Sequence, residues 1–145
     1  IGWEHVHVCV DDYTRLAYVE VLADEKGATT AAFLRRAAAW LKAQGITVER
    51  VMTDNGSGYV SKDFAAAIAA IRVRHLRTRP YTPRTNGKAE RFIQPLLREW
   101  AYARPYQPSY PRRTALPAWL RRYNERRPHA GIGGAAPITR LRSAA

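Results

Sequence analysis

The sequence predicts an α/β fold in which a mixed sheet carries helices on its faces. Segments with the two-residue alternation of a strand and segments with the 3.6-residue repeat of a helix follow one another along the chain. Their order is a hairpin, then helix, strand, helix, strand and helix. Ligands in sheets of this kind bind beyond the carboxyl ends of the strands, so the residues that follow each strand are the first candidates for a site.

Each element has a local signal. The first strands are alternating and β-branched, Gly45 marks the end of the first helix, and a proline-rich stretch follows the last long helix. We expect residues 1–104 to form a core and residues 105–145 to form a linker (105–111), a short helix and a C-terminal extension. The predicted elements are a hairpin of 5–10 and 16–22, helices at 29–44, 62–71, 88–100 and 116–123, and strands at 48–53 and 72–77.

The composition places the chain among single-domain globular proteins. It has 145 residues, of which 46% are apolar, and Cys9 is its only cysteine. A single cysteine excludes an intrachain disulfide and a cysteine-based zinc cluster, and it favours a reducing, cytosolic setting. No apolar run reaches the roughly 20 residues of a membrane span. The four histidines lack the spacing of a ligand cluster, so we expect His5 and His7 to be structural or surface residues.

The charge of the chain is positive and unevenly distributed. The net charge is +12, and residues 72–145 hold 17 basic and 3 acidic side chains, whereas residues 1–71 hold 7 and 9. Arginine accounts for 20 of the 24 basic residues, and its planar fork matches phosphate oxygens. This pattern indicates a polyanionic partner, with nucleic acid the leading candidate. The alternative is a basic protein from an arginine-rich proteome.

Two carboxylates stand out by their position. Asp54 follows a predicted strand, and Glu90 lies in an otherwise basic segment with Arg84, Lys88 and Arg91. Taken singly, Asp54 is typical of a turn and Glu90 of a salt-bridged helix surface. Together they have a second interpretation, as ligands of a divalent cation. Phosphodiester transfer requires divalent cations, and hard cations prefer carboxylate oxygen.

The two segments around these carboxylates resemble a known family. The segments 53–59 (Thr-Asp-Asn-Gly-Ser-Gly-Tyr) and 80–91 (Pro-Tyr-Thr-Pro-Arg-Thr-Asn-Gly-Lys-Ala-Glu-Arg) are similar to the second and third catalytic blocks of integrase-core transposases. These are the DDE enzymes of bacterial insertion sequences and of retroviruses. Between Asp54 and Glu90 lie 35 residues, as in the D,D-35-E motif, and the tail 123–137 also resembles these transposases.

The resemblance implies a ribonuclease H-like fold with a five-stranded mixed sheet. It also implies Mg²⁺ or Mn²⁺ held by Asp54 and Glu90, and cleavage of transposon ends followed by their transfer into target DNA. Water and then a DNA 3′-hydroxyl would be the nucleophiles. The expected partners are transposon-end and target DNA, and no membrane contact is expected. We expect the full-length protein to be a homo-oligomer in the bacterial cytoplasm.

The sequence departs from the family pattern at two places. The first aspartate of the family belongs to a strand before the hairpin, which would precede Ile1, so we expect the chain alone to be a fragment with little or no activity. Asp11 and Asp12 end the first strand of the hairpin, and we interpret both as turn residues. Pro95, five residues after Glu90, predicts a kink or a restart of that helix.

Candidate DNA contacts surround Glu90. Basic side chains there are suited to phosphates, and an aromatic ring can stack on a base. The expected contacts are Arg79, Tyr81, Arg84, Asn86, Lys88 and Arg91.

Two alternative functions would account for part of the same observations. One is a ribonuclease H-like nuclease or resolvase, which has no need of the 80–91 segment. The other is a non-catalytic basic nucleic-acid-binding module, which has no need of the Asp54 and Glu90 spacing.

Overall fold

The structure is a computed structural model of the 145-residue chain and describes residues 4–78, 95–96, 100, 109–129 and 132–144. Two compact units are present: Ile1–His7 with Glu20–Gly87, and Val8–Val19 with Lys88–Ala145. The elements are the strands β1 (His5–Val10), β2 (Ala17–Leu22), β3 (Arg50–Thr53) and β4 (Arg74–Arg77) and the helices α1 (Gly27–Ala43), α2 (Lys62–Ile71), α3 (Ser109–Glu125) and α4 (Pro137–Ala144).

Helices α1 and α2 pack against each other to form the core of the first unit. Ala31 and Leu34 of α1 meet Phe64 and Ala67 of α2, and all four side chains are buried. Full burial of a leucine or phenylalanine side chain contributes about 1.5–3 kcal/mol. Helix α2 begins after Ser61, whose hydroxyl accepts a hydrogen bond from the Phe64 backbone N–H at 3.1 Å. This cap satisfies one of the donors that a helix N-terminus leaves without an intrahelical partner.

Strands β3 and β4 pair in parallel and are connected through α2. Their register runs from Arg50 opposite Arg74 to Thr53 opposite Arg77. A parallel pair requires a crossover of this kind, and it brings the carboxyl ends of both strands to one edge of the sheet. Asp54, which follows Thr53, and Thr78, which follows Arg77, therefore lie at the same edge of the sheet.

The described residues do not show the single five-stranded sheet that the resemblance implies. In the described part of the chain four strands form two two-stranded sheets, β1–β2 and β3–β4. Strands β3 and β4 have four residues each, fewer than the predicted 48–53 and 72–77. Arg72 explains the later start of β4, because it closes α2 with a left-handed backbone (φ 59°) that cannot belong to a strand.

The helices agree with the sequence patterns to different degrees. The bounds of α2 are those predicted, and α1 begins two residues earlier than the predicted 29–44. The predicted short helix at 116–123 is the middle of the longer α3, which continues through Pro117 and includes the last residues of the predicted linker 105–111. Of the predicted helix 88–100, Pro95 and Leu96 are helical and buried and Trp100 is buried, and the rest lies outside the described residues.

The second unit has its own aromatic cluster. Leu116, Trp119 and Tyr123 are buried along one face of α3, at the spacing of an amphipathic helix. The rings of Trp119 and Tyr123 stack with centroids 5.6 Å apart. The Tyr123 hydroxyl hydrogen-bonds His129 Nε2 at 3.0 Å, and burial raises the pKa of Tyr123 to about 12. The hydroxyl therefore remains protonated at neutral pH.

Asn124 attaches α3 to the start of β2. Its side-chain Oδ1 accepts from the Ala17 backbone N–H at 2.9 Å, and its Nδ2 donates to the Ala17 carbonyl oxygen at 3.0 Å. Both residues are buried. The side-chain amide thus pairs with the backbone of Ala17 as a neighbouring strand would. Since buried backbone groups must be hydrogen-bonded, this contact supports the second unit.

Among the described residues, no helix has the length and the apolar character needed to cross a membrane.

The hydrogen bonds between Asn124 and Ala17 lead to a prediction about the free energy of unfolding. Asn124→Ala leaves the buried N–H and C=O of Ala17 without partners, and we expect it to lower the free energy of unfolding by about 2–4 kcal/mol. Chemical denaturation followed by circular dichroism measures the change. The neighbouring Glu125 is exposed, so Glu125→Ala serves as the control and should change stability by less than about 0.5 kcal/mol. Equal effects of the two substitutions would contradict the assignment.

Candidate functional site

Asp54 lies at the carboxyl end of β3, in the position that the sequence predicted. It is the first residue after the strand, and its side chain is exposed. Its Oδ1 accepts a hydrogen bond from the Gly56 backbone N–H at 2.8 Å. The next residue, Asn55, donates from Nδ2 to the Thr78 carbonyl oxygen at 2.7 Å. The turn after β3 is therefore tied to the residue that follows β4.

Thr53 and His75 hold the backbone of Asp54 from within the sheet. The Thr53 hydroxyl donates to the Asp54 carbonyl oxygen at 2.9 Å and lies 2.7 Å from His75 Nε2. A hydroxyl has one proton, so when it donates to Asp54 it accepts from His75, and Nε2 then carries the hydrogen. Burial, followed by the nearby Arg77 charge, lowers the pKa of His75. The imidazole is therefore neutral at neutral pH.

The ring of His75 is fixed by aromatic neighbours in α2 and the turn. Its centroid lies 5.0 Å from that of Phe64, and Tyr59 meets Phe64 edge to face at 5.3 Å. Such pairs contribute about 0.5–1.5 kcal/mol beyond the burial of their area. The hydrophobic core of the first unit therefore extends to the hydrogen bonds that orient Asp54.

Gly58 sets how closely the turn approaches α1. A Cβ atom at this position would lie 2.7 Å from the Glu25 carbonyl oxygen and 2.8 Å from Thr30 Oγ1. No side chain larger than hydrogen fits at these distances without a shift of the backbone. The turn between Asp54 and Ser61 is therefore seated against the N-terminal end of α1, and this contact limits its movement.

Asp54 has the chemistry of a ligand for a hard cation. The carboxylate is exposed, one oxygen is used by the turn, and among the described residues no donor hydrogen-bonds to Oδ2. Oxygen ligands of this type suit Mg²⁺ and Mn²⁺. Within the described ranges, no three His, Cys, Asp or Glu side chains form a group that could hold a metal ion. Glu90, the predicted second ligand, lies outside the described residues.

Asp11 and Asp12 are turn residues, as the sequence indicated. The Asp11 Oδ2 accepts from the Thr14 N–H at 2.9 Å and from the Thr14 hydroxyl at 2.6 Å. Asp12 pairs with Arg15 at 3.7 Å, and Arg15 has a left-handed backbone (φ 67°). The carboxylate of Asp11 is thus engaged in closing the β1–β2 connection.

The two histidines and the cysteine of β1 differ in their surroundings. His7 is buried, and its Nε2 lies 2.9 Å from the Asp24 carbonyl oxygen, which agrees with a structural residue. The Nδ1 atom of His5 lies 3.2 Å from a carboxylate oxygen of Glu25. Burial raises the pKa of the Cys9 thiol to about 11, so the thiol is protonated and inert as a nucleophile at neutral pH.

The proposed DNA contacts lie outside the described residues. These are Arg79, Tyr81, Arg84, Asn86, Lys88 and Arg91. Conversely, the sequence patterns gave no prediction for Thr53, Asn55 or His75, which position Asp54. Asn55 had a usable signal, because asparagine after an aspartate in a turn often bonds to the backbone. Thr53 and His75 had none, since their contact depends on the register of β3 against β4.

Comparisons with known proteins identify the family. A family profile described as integrase core domain matches residues 1–83, and a second profile with the same description matches residues 71–137. The chain belongs to the integrase core domain family.

Several relatives come from mobile elements. An uncharacterised protein of insertion element IS136 from Agrobacterium fabrum is 26% identical over 92 residues, which are 63% of this chain and 47% of that protein. The Retrovirus-related Pol polyprotein from transposon TNT 1-94 of Nicotiana tabacum is 31% identical over 88 residues, which are 61% of this chain and 7% of the polyprotein. The chain thus spans about half the length of the insertion-element relative.

A solved structure supports the fold. A chain in the cryo-electron microscopy structure of a simian T-cell lymphotropic virus intasome, in complex with PP2A regulatory subunit B56 gamma, superposes with a TM-score of 0.80. The match covers 97% of this chain and 49% of that chain, at 23% sequence identity. The α/β fold of this chain is therefore integrase-like.

The close approach of Gly58 gives a prediction for this site. Gly58→Ala places a methyl group against backbone and side-chain oxygens, and we expect a loss of about 1–3 kcal/mol in the free energy of unfolding. Thermal and chemical denaturation measure the loss. Ser57→Ala, at an exposed position of the same turn, is the control and should have little effect. A Gly58→Ala protein as stable as the parent would show that α1 does not constrain the turn.

Proposed function

We propose that this chain is the catalytic core of a DDE transposase, which cleaves the ends of a mobile DNA element and transfers them into target DNA. The observation that carries the proposal is the position of Asp54. It occupies the carboxyl end of a parallel strand within the Thr53–Tyr59 segment, in a chain of the integrase core domain family. The relatives from insertion element IS136 and from a retrovirus-related polyprotein support the same class of activity.

Asp54 and Glu90 are the proposed ligands of Mg²⁺ or Mn²⁺. The exposed carboxylate of Asp54 and its uncommitted Oδ2 suit such a cation. When bound, divalent cations supply charge stabilisation to the attacking and leaving oxygens of a phosphodiester. The contribution of Thr53, Asn55 and His75 is to keep Asp54 in one place, because an accurate position of reacting groups accounts for much of the rate of phosphoryl transfer.

The parallel pairing of β3 and β4 supports the proposed meeting of Asp54 and Glu90. Thr78 follows β4 and accepts a hydrogen bond from Asn55, so Thr78 lies beside the turn that carries Asp54, and Glu90 follows Thr78 in the sequence. The proposed DNA contacts belong to this same segment. They are Arg79, Tyr81, Arg84, Asn86, Lys88 and Arg91. Their basic side chains would hold phosphates around the reacting group, with Tyr81 available to stack on a base.

The proposal extends to the whole protein. We propose that the two sheets are parts of one five-stranded mixed sheet of the ribonuclease H-like type. We also propose a homo-oligomer acting on element ends and target DNA in the bacterial cytoplasm. The integrase-like fold and the mobile-element relatives support this assignment. Little base preference is expected of this chain, because its proposed contacts are mainly to phosphates, which carry no sequence information.

The proposed metal ligands lead to a prediction about the rate of strand transfer. Asp54→Asn and Glu90→Gln should each lower strand transfer by the full-length protein on a pre-processed DNA end in Mn²⁺. The loss should be at least about 100-fold, because even residues behind the ligands of a metal site typically contribute 10–100-fold. Asp63→Asn removes an exposed carboxylate from the first turn of α2 and should leave the rate unchanged. Retention of most of the activity by Asp54→Asn would rule out the proposed reaction.

The second prediction concerns DNA binding. Arg84→Ala and Lys88→Ala should each flatten the dependence of log affinity on log salt by about 0.9, the value for one phosphate contact on duplex DNA. Fluorescence anisotropy of a labelled duplex over a series of salt concentrations measures the slope. Arg35→Ala removes an exposed charge from α1 and should leave the slope unaltered. Unchanged slopes for both Arg84→Ala and Lys88→Ala would contradict their assignment.

A further inference from the structure

Two arginines stand side by side on one face of the β3–β4 sheet. Arg50 and Arg74 are register partners in the parallel pair. Partners in register direct their side chains to the same face, and neighbouring strands are about 4.8 Å apart. Both side chains are exposed. Arg50 comes from the acidic half of the sequence, so the charge pattern of the chain gave no reason to select it.

This arginine pair has no acidic partner in the described part of the chain. Neither Arg50 nor Arg74 takes part in an ion pair with a described residue, in contrast to Arg15 with Asp12 and Arg36 with Glu20. Glu49 precedes Arg50 and accepts the Arg74 backbone N–H through its carbonyl oxygen. Like charges directly opposite each other in a sheet are destabilising. The protein therefore carries a local electrostatic cost that an anion would relieve.

The surroundings of the pair are open to solvent. Met52 lies two residues after Arg50, so its side chain is on the same face, and it is 51% exposed. Arg72, the left-handed residue at the end of α2, is exposed just before β4. The face that contains Arg50 and Arg74 is thus accessible, and a third arginine lies at its margin.

We propose that Arg50 and Arg74 bind the phosphate backbone of DNA, at a contact separate from the segment around Glu90. The inference rests on the proposed function. The guanidinium groups of these two register partners each offer a planar fork that matches phosphate oxygens. The pair lies at the amino ends of the strands, whereas Asp54 lies beyond the carboxyl end of β3. Asp54 follows Arg50 by four positions of extended chain, about 13 Å. This distance corresponds to about four base steps of duplex DNA.

The test compares three double variants of the chain in salt-dependent binding to a labelled duplex. Arg50→Gln with Arg74→Gln should lower the slope of log affinity against log salt by about 1.8, and the affinity at 0.1 M salt by roughly 60-fold. Arg35→Gln with Lys42→Gln removes the same charge from exposed positions of α1 and should change the slope far less. Arg50→Lys with Arg74→Lys keeps both charges and should restore the slope. Without DNA, the Arg50→Gln, Arg74→Gln protein should melt no lower than the parent.

The outcomes separate this inference from the proposed function. If the parent chain binds DNA with a steep salt dependence and the Arg50→Gln, Arg74→Gln variant is unchanged, the inference is wrong and the proposed function stands. Equal losses of slope in the Arg50→Gln, Arg74→Gln variant and in the Arg35→Gln, Lys42→Gln variant would show a general effect of net charge. That result would overturn the inference. A changed oligomeric state with an unchanged slope would assign the face to protein contacts instead. Absence of DNA binding by the parent chain would overturn both.

Discussion

The parallel pairing of β3 with β4 is the constraint on which the candidate site depends. It brings the carboxyl ends of two segments that are distant in sequence to one edge of a sheet, and Asp54 stands at that edge. The hydrogen bonds of Thr53 with His75 and of Asn55 with Thr78 both cross between the two segments. Without the pairing, the turn that carries Asp54 would lose its fixed position, and Thr78 would not lie beside it.

Packing supports this pairing from one side of the sheet. Phe64 of α2 contacts the His75 ring, and the same side chain is part of the core between α1 and α2. The core thus stabilises the unit and also holds a neutral histidine in the orientation that Thr53 requires. We therefore expect a substitution in this core to displace Asp54 through a short series of contacts, because close-packed interiors transmit small displacements.

Much of this arrangement could be predicted from the sequence where local signals decide the structure. The bounds of α2 were correct because a serine cap, an acidic first turn and an apolar repeat agree with one another. The position of Asp54 at a strand end followed from a β-branched run that meets a Gly-rich turn. The family followed from two motifs at a fixed spacing, and the profile matches confirmed it.

The remaining features depend on contacts that no local pattern encodes. Asn124 bonds to Ala17 across 107 residues, and His75 meets Thr53 across 22. Helix α3 begins at Ser109, earlier than predicted, and it continues through Pro117 because tertiary burial of Trp119 and Tyr123 outweighs the helix-breaking tendency of proline. The Asn124 contact also gives a physical reason for part of the tail motif at 123–137, since Asn124 attaches that tail to the hairpin of its own unit.

The central claim is that Asp54 and Glu90 share a divalent cation at the carboxyl end of β3. Crystals of the protein grown with Mn²⁺, measured at the manganese absorption edge, test it most directly because anomalous scattering locates the ion itself. We expect a manganese peak within about 2.2 Å of a carboxylate oxygen from each of the two residues. A peak that contacts Asp11 or Asp12 instead, or a structure with Asp54 and Glu90 on opposite faces of the domain, would contradict it.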